Sequence, residues 1–498
     1  MGRSMIIIGG GMAGLSTGCY AQMNGYDSTI FERHSLPGGL CTSWKRGDYT
    51  FDGCVHWLAG SSGDGLMGKY WNEVGALEGR EFAYHEVFTR IETGTHDDMK
   101  TFTVYSDADR TNAGMKAIGP EDGCRIDAFT DMIKRFTGFP SAFDKPFELM
   151  GMRDYLEMFR SMRPYLKDFN AYRDMTIGAY AKGFRNPHLR EGVAGILGDP
   201  AFSFLAVVLM LAWQHDRNAG YPIGGSLEFS RAIEKKYEEL GGIFRCSSHV
   251  GKIVVERDKA VGIRLDDGTE RYADIVVSAA DGYATIFEML SGKFLDQKIR
   301  KRYDSLPIFE PLFCLSLGVR RDFSGEAPLS VHILRQPIEI EKRVQTKIGI
   351  KHYCYDRTMS PTGKSVLQVL YPSDYDYWKI LEEDRRAYED EKTKIARRLV
   401  AALEEFHPGI GKDIEALDVA TPLTFERYTG NRRGSFEGWF MTPRAMTMRM
   451  PKTLPGLRNF YMVGQWVQPG GGLTNSLKSG RDLVSILCAK DGRPFMTA

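Results

Sequence analysis

The stretch Met5-Ile-Ile-Ile-Gly-Gly-Gly-Met-Ala-Gly14 decides the fold, together with residues 15–32 after it. Residues 5–8 are a continuous apolar run of strand length, the pattern of a strand buried on both faces in a parallel sheet. Three glycines come next, residues 15–24 read as a helix, and Gly25 supplies its stop. Residues 28–31 read as the second strand, ended by Glu32. Gly9, Gly11 and Gly14 fall in a G-x-G-x-x-G spacing between strand and helix, and each has its own task. Gly9 makes a tight turn, Gly11 lets backbone approach a pyrophosphate, and Gly14 lets the helix pack on the strand. The phosphate then meets the positive end of the helix at Met12 and Ala13. Glu32, 18 residues past Gly14, stands where a carboxylate accepts both ribose hydroxyls. The unit reads as a βαβ dinucleotide-binding start.

Gly38-Gly39 follows Arg33-His-Ser-Leu-Pro37 and precedes Leu40. The pair suits a loop passing close to phosphate, and an ordinary Pro-Gly turn accounts for it equally. In mid-chain, Tyr221-Pro-Ile-Gly-Gly-Ser226 opens a helix over 227–240, stopped by Gly241-Gly242. Residues 243–246, 251–256, 260–265 and 272–277 then read as strands, with Asp266-Asp267-Gly268 as a hairpin turn. Near the end, 457–463 is strand-like, 464–474 is glycine-rich, and 475–490 reads as a helix. Residues 81–219 and 300–440 mix helical and strand periodicities and are rich in Met, Phe, Tyr and Trp.

Composition bounds the rest. Lys+Arg 65 against Asp+Glu 64 gives no basic excess for a nucleic-acid partner. Hydrophobic residues at 43% fit a globular chain, and 498 residues fit two to three domains. The 54 glycines, about 11% against a usual 7%, call for many permissive backbone positions. The first apolar run is too short for a signal sequence. The longest, 201–213 broken only by Ser203, falls short of the roughly 20 residues that span a bilayer. A cytoplasmic location follows as the expectation, with peripheral membrane contact left open. The eight cysteines show no CxxC pair and no metal-ligand spacing, and are expected as buried reduced thiols.

Taken together, these residues resemble a family. Glu32-(x)5-Gly38-Gly39 after the fingerprint is the pattern of the flavoprotein superfamily that contains amine oxidases and phytoene desaturases. Phe51-Asp-Gly-Cys-Val-His56 resembles a segment of its phytoene desaturase, carotenoid isomerase and retinol saturase branch. Thr421-Pro-Leu-Thr-Phe-Glu-Arg-Tyr-Thr-Gly430 with Arg433-Gly-Ser-Phe-Glu-Gly438 is similar to that branch too. So is Tyr461-Met-Val-Gly464 through Pro469-Gly-Gly-Gly-Leu473 to Ser479-Gly-Arg481. There are departures: the usual glycine at Cys54 is displaced to Gly53, a Thr-His-Pro-Gly form reads Val467-Gln-Pro-Gly470, and Thr474 stands where proline is common. They bear on the substrate, not on the flavin.

The resemblance implies FAD as cofactor, contacted by Gly9, Gly11, Met12, Ala13, Gly14, Glu32, Arg33, Gly38, Gly39, Leu40 and His56. It adds the Val250 strand backbone near the adenine, and Gly464, Gly472, Leu473, Thr474 and Ser476 at the C-terminal helix. There, backbone N–H groups at a helix start would stabilise negative charge on reduced flavin. His56 is the one catalytic candidate, to move a proton or orient substrate, with a structural histidine beside Trp57 as the other reading. Asp52 is read as holding a loop, Arg433 as pairing with a polar substrate end, a phosphate or a surface acid. His215-Asp216-Arg217 is a relay only in appearance. Residues 202–211 read as core helix, with a tunnel lining or membrane surface as alternatives. No metal site is expected.

The expected fold class is α/β, a discontinuous Rossmann-type FAD-binding domain (1–80, 216–300 and 441–498) with an inserted α+β substrate domain (81–215 and 301–440). The expected activity is an FAD-dependent oxidoreductase acting on carbon–carbon single or double bonds of a long apolar, isoprenoid, carotenoid or other lipid-like substrate, by hydride transfer to or from flavin N5. Desaturation, saturation and isomerisation all stay open, as do oxygen, quinone and ferredoxin as electron partner. The alternatives are a flavin amine oxidase acting on an amine, and a non-catalytic flavin-containing lipid-binding or assembly protein.

Overall fold

A computed structural model describes residues 2–140, 142–446, 448, 450–468 and 470–497. Pro469 of the C-terminal glycine segment lies outside the described residues. The apolar run at the N-terminus forms strand Ser4–Ile8, with Met5 to Ile8 all buried. It is the central strand of a five-stranded parallel sheet. The order is Ile243–Arg245, Asp27–Phe31, Ser4–Ile8, Ile275–Ser278, Phe460–Met462. Met5 pairs with Ser28 on one side and Ile275 on the other, and Val276 pairs with Phe460. Burial on both faces is what parallel strands require, and it explains the unalternating apolar sequence. Chain order reverses on either side of Ser4–Ile8, so a crevice opens beyond its carboxyl end.

A second sheet has seven strands, ordered Ile414–Ala420, Leu312–Val319, Ser365–Pro372, Arg343–His352, Leu329–Ile340, Val87–Thr95, Asp98–Tyr105. It is antiparallel except where Leu329–Ile340 meets Val87–Thr95. Helix Arg385–Leu403 packs its Ile395, Leu399 and Leu403 side onto a core shared with Phe313, Leu315 and Trp378. The helices between residues 108 and 215 build a separate apolar core around Phe129, Phe204 and Val208.

Several expected elements shift. The first helix is Met12–Met23, three residues earlier than its apolar pattern suggests, because Gly11 rather than a polar side chain caps it. The last helix is Leu473–Lys490 and begins at Gly472 for the same reason. The strand expected over 457–463 shrinks to Phe460–Met462. The apolar run 202–211 becomes helix Phe204–His215, with Phe204, Val207 and Val208 wholly buried, so it is packed core and not a membrane surface. All eight cysteines are free, but Cys124 and Cys246 are exposed, against the expectation of burial. Among the described residues no helix is long and apolar enough to cross a membrane.

Candidate functional site

Gly9 leaves the central strand at φ +99°, and its N–H donates to the Phe31 carbonyl at 2.8 Å. A Cβ on Gly14 would collide with the Gly9 carbonyl, and one on Gly10 would sit 2.6 Å from the Phe244 ring. A Cβ on Gly11 would meet nothing nearer than 3.8 Å, so the loop is crowded on its protein side and open on its outer side. The Gly38–Gly39 loop lies along that opening. The Gly38 N–H donates to the Gly10 carbonyl at 2.9 Å, and Gly11 and Gly38 form a bridge.

Glu32 is buried at the end of Asp27–Phe31. It accepts the Gly10 N–H at 2.6 Å and the His34 N–H at 2.7 Å. Burial raises its pKa and those two N–H donors oppose the rise. The carboxylate therefore fixes the fingerprint loop, and each oxygen keeps a lone pair. Arg33 is exposed, with its guanidinium against the Gly430 turn, and Leu40 is half-buried where its carbonyl accepts from Thr42. Val250 pairs with Leu265 in a three-stranded antiparallel sheet, and its side chain is core.

The first and last helices lie side by side and parallel. Ser16 Oγ donates to the Leu477 carbonyl at 3.1 Å, and Cys488 Sγ donates to Asn24 Oδ1 at 3.3 Å. Gly480 is the contact point, since a Cβ there would collide with the Ser16 and Thr17 hydroxyls. The Gly464 N–H donates to Ser479 Oγ at 2.9 Å, and a Cβ on Gly464 would approach Ala13 Cβ to 3.1 Å. Residues 9–14 and 464–480 thus meet, and two helix starts, Met12 and Leu473, open at one end. Neither has a side-chain cap, so their first N–H groups are left for an outside acceptor. Thr474 Oγ1 donates to the Ala59 carbonyl at 3.2 Å, tying this end to the loop that carries His56; Ser476 is half-buried in the same turn.

That loop is held by Asp52. Its carboxylate accepts the Cys54 N–H at 2.9 Å and both the N–H and hydroxyl of Ser226 at 2.6 Å. A small, mostly apolar pocket lies beside the loop. Apolar walls come from Trp44, Leu312, Leu370, Phe425 and Phe436; His56, Cys54 and Lys351 stand among them. His56 packs edge-on to Trp57 and makes no hydrogen bond among the described residues. Burial, with Lys351 nearby, holds it well below the ordinary histidine range, so it is neutral. Lys351 Nζ donates to the Val55 carbonyl at 3.3 Å and lies 4.5 Å from the Tyr353 ring centre. Burial brings its pKa down to about 8. Glu437 approaches Gly471 of the C-terminal loop, and burial alone pushes its carboxyl up to about 7.

Sequence reasoning missed Lys351 and Glu437. Arg433 turns out to pair with Asp376 at 2.6 Å, at the surface. His215 Nδ1 accepts the Ala108 N–H at 3.2 Å and heads no relay. Among the described residues no cluster of three metal-ligating side chains forms.

The residues fit FAD. The fingerprint and its Gly38–Gly39 neighbour leave an open backbone face, and two uncapped helix starts converge on it. A family model described as flavin containing amine oxidoreductase matches residues 12–485. Phytoene desaturase (neurosporene-forming) of Rhodobacter capsulatus is 26% identical, over 98% of this chain and 94% of its own. Prolycopene isomerase, chloroplastic, of Daucus carota is 23% identical, over 98% of this chain and 80% of its own. A solved oxidoreductase from Methanosarcina mazei shares the fold, with TM-score 0.63 at 15% identity over 97% of this chain and 100% of that one. The chain belongs to the flavin-containing amine oxidoreductase family, and it is an FAD-dependent oxidoreductase.

Proposed function

We propose that this enzyme acts on carbon–carbon bonds of a long apolar substrate, isoprenoid or otherwise lipid-like. The pocket carries the reading: most of its walls are aromatic and aliphatic, and its histidine is neutral. Its one carboxylate, Asp52, is taken up by the Cys54 and Ser226 donors, so a charged amine finds no free counter-ion there, whereas the apolar walls suit a polyene. The likeness to a phytoene desaturase and a prolycopene isomerase supports it.

Bound FAD supplies hydride acceptance or delivery at its N5. Gly9, Gly11, Met12, Ala13, Gly14, Glu32, Arg33, Gly38, Gly39, Leu40 and Val250 hold its nucleotide part. Gly464, Gly472, Leu473, Thr474 and Ser476 face its ring end. Phe425, Phe436 and Trp44 keep water from the apolar chain of the substrate. Glu437, with a pKa near the working pH, takes up or gives back the proton that accompanies hydride movement, and neutral His56 orients the substrate. The flavin unit is built from 1–80, 216–300 and 441–498, a division supported by the five-stranded sheet, which draws strands from all three pieces.

The protein works in the cytoplasm at a membrane surface, reached through helix Met152–Met162. Met152, Tyr155, Leu156 and Phe159 of that helix are exposed, at 80%, 45%, 53% and 57%, in one stripe at i, i+3, i+4, i+7 spacing. Arg153, Arg160, Arg163 and Lys167 are exposed alongside and form no ion pair among the described residues, which suits anionic headgroups.

Anaerobic mixing decides the substrate class. The yellow flavin of the holoprotein should bleach with isoprenoid polyenes and stay coloured with amines. Bleaching by amines alone would overturn the reading. Mass spectrometry of lipid that co-purifies with the holoprotein should identify an apolar occupant.

A further inference from the structure

Strands Ser43–Arg46 and Tyr49–Asp52 form an antiparallel hairpin in which Ser43 faces Asp52 and Arg46 faces Tyr49. In such a ladder, hydrogen-bonded and non-hydrogen-bonded pairs alternate. The Gly53 N–H donates to the Thr42 carbonyl at 2.9 Å, the last bond of the ladder, while the Thr42 N–H turns back to the Leu40 carbonyl. The next pair, Cys41 opposite Cys54, is then a non-hydrogen-bonded one. Non-hydrogen-bonded pairs bring their side chains closest, and the two thiols lie near enough to act on each other.

The period of two puts Cys41 and Cys54 on the same face as Ser43 and Asp52, whose side chains meet at 3.4 Å. One element covers that face: Cys41 Sγ donates to the Ser226 carbonyl at 3.5 Å, and Ser226 also donates to Asp52. Cys41 is buried two residues after Gly39, and Cys54 lines the cavity beside Lys351. Both are free thiols. The Cys54 thiol is pushed well above the ordinary range, first by the neighbouring Cys41 thiol and then by burial. Burial disfavours a thiolate, so dithiol and disulfide, both uncharged, are the two resting forms this site favours.

We propose that Cys41 and Cys54 form a redox-active pair that exchanges two electrons with the protein's FAD. In the oxidising direction two S–H bonds break and one S–S bond forms. Two electrons and two protons pass to oxidised flavin, leaving it reduced; the reverse step restores the dithiol. Neutral Lys351, beside Cys54, takes the first thiol proton and passes it to the flavin as the electrons move. The pair gives the enzyme a store for a second electron pair next to the apolar cavity. The proposal rests on the FAD reading for its electron partner alone, since the facing thiols are a property of the hairpin.

Two measurements on the holoprotein test it. After equilibration in glutathione buffers from reducing to oxidising, alkylation and peptide mapping should show a Cys41–Cys54 link, leaving six of the eight cysteines alkylated. Anaerobic dithionite titration of the oxidised holoprotein should consume four electron equivalents per flavin. Cys41→Ser and Cys54→Ser should each take two and keep their colour; Cys54→Gly is the substitute if the serine variant does not fold. Eight free thiols at every poise, or two equivalents in the unaltered protein, would overturn the proposal. A colourless preparation would instead sink the cofactor reading, while the thiol map still reports whether the link forms.

Discussion

Glu437 and Lys351 have their pKa values moved toward neutrality for one reason, burial without an adequate counter-charge. For Glu437 this sets a pH dependence. If it accepts a proton during desaturation, turnover rises as pH climbs through about 7, where the carboxyl ionises. Glu437→Gln should keep the flavin, lose roughly 10²–10⁴-fold in kcat, and lose that limb of the pH profile. An unchanged limb in the variant would assign it to another group. For Lys351 the consequence is stability. Its folded pKa is about 8 against an ordinary 10.5, so between these values the unfolded chain binds more protons and stability rises with pH. Below pH 8 the penalty is fully present, about 3 kcal/mol from the shift. Lys351→Met should therefore raise the Tm at pH 7 and flatten its dependence between pH 8 and 10, read by circular dichroism. A lower Tm would show that the Val55 hydrogen bond outweighs desolvation. Neither residue was legible in the sequence. The glycines and Glu32 stand out because a motif fixes their spacing, but Lys351 lies near the end of a strand whose last three residues are all buried, and no local period marks that.

Among elements, the helices that matter were readable in kind and misread in position. Met12–Met23 and Leu473–Lys490 both start at a glycine, where no polar cap announces a helix, and the reason is the ligand face their N–H groups present. Helix Met152–Met162 is the opposite case: its apolar stripe is regular, yet only the fold reveals that nothing covers it. The run at Phe204–His215, read as core helix with a membrane surface only as an alternative, is indeed buried. The exposed stripe gives an element-scale prediction. Leu156→Glu with Phe159→Glu should cut co-sedimentation with phosphatidylserine-containing vesicles at least tenfold. The change in unfolding free energy should stay within about 0.5 kcal/mol, as for surface substitutions generally. The unaltered protein should bind less tightly as salt rises. Equal binding by the variant would remove the helix from the membrane contact.

At the scale of the whole molecule, the parallel sheet was legible only in part. The two N-terminal strands declare themselves, but Phe460–Met462 joins the same sheet from the far end of the chain, and Val87–Tyr105 joins strands beyond residue 312 in the other. Such pairings are decided by global packing, which no window of sequence contains. They also make the cofactor a clamp. Residues 9–14 and 464–480 meet through Ala13, Ser16 and Gly480, so a ligand touching both helix starts stabilises both ends of the chain together. Apoprotein titrated with FAD should gain about 2.7 kcal/mol of stability at a hundredfold excess over Kd. Amide exchange should then slow in both segments over the same concentration range. Protection confined to residues 9–14 would mean that the C-terminal helix packs on the fingerprint helix for structural reasons alone, and that the flavin ring lies elsewhere.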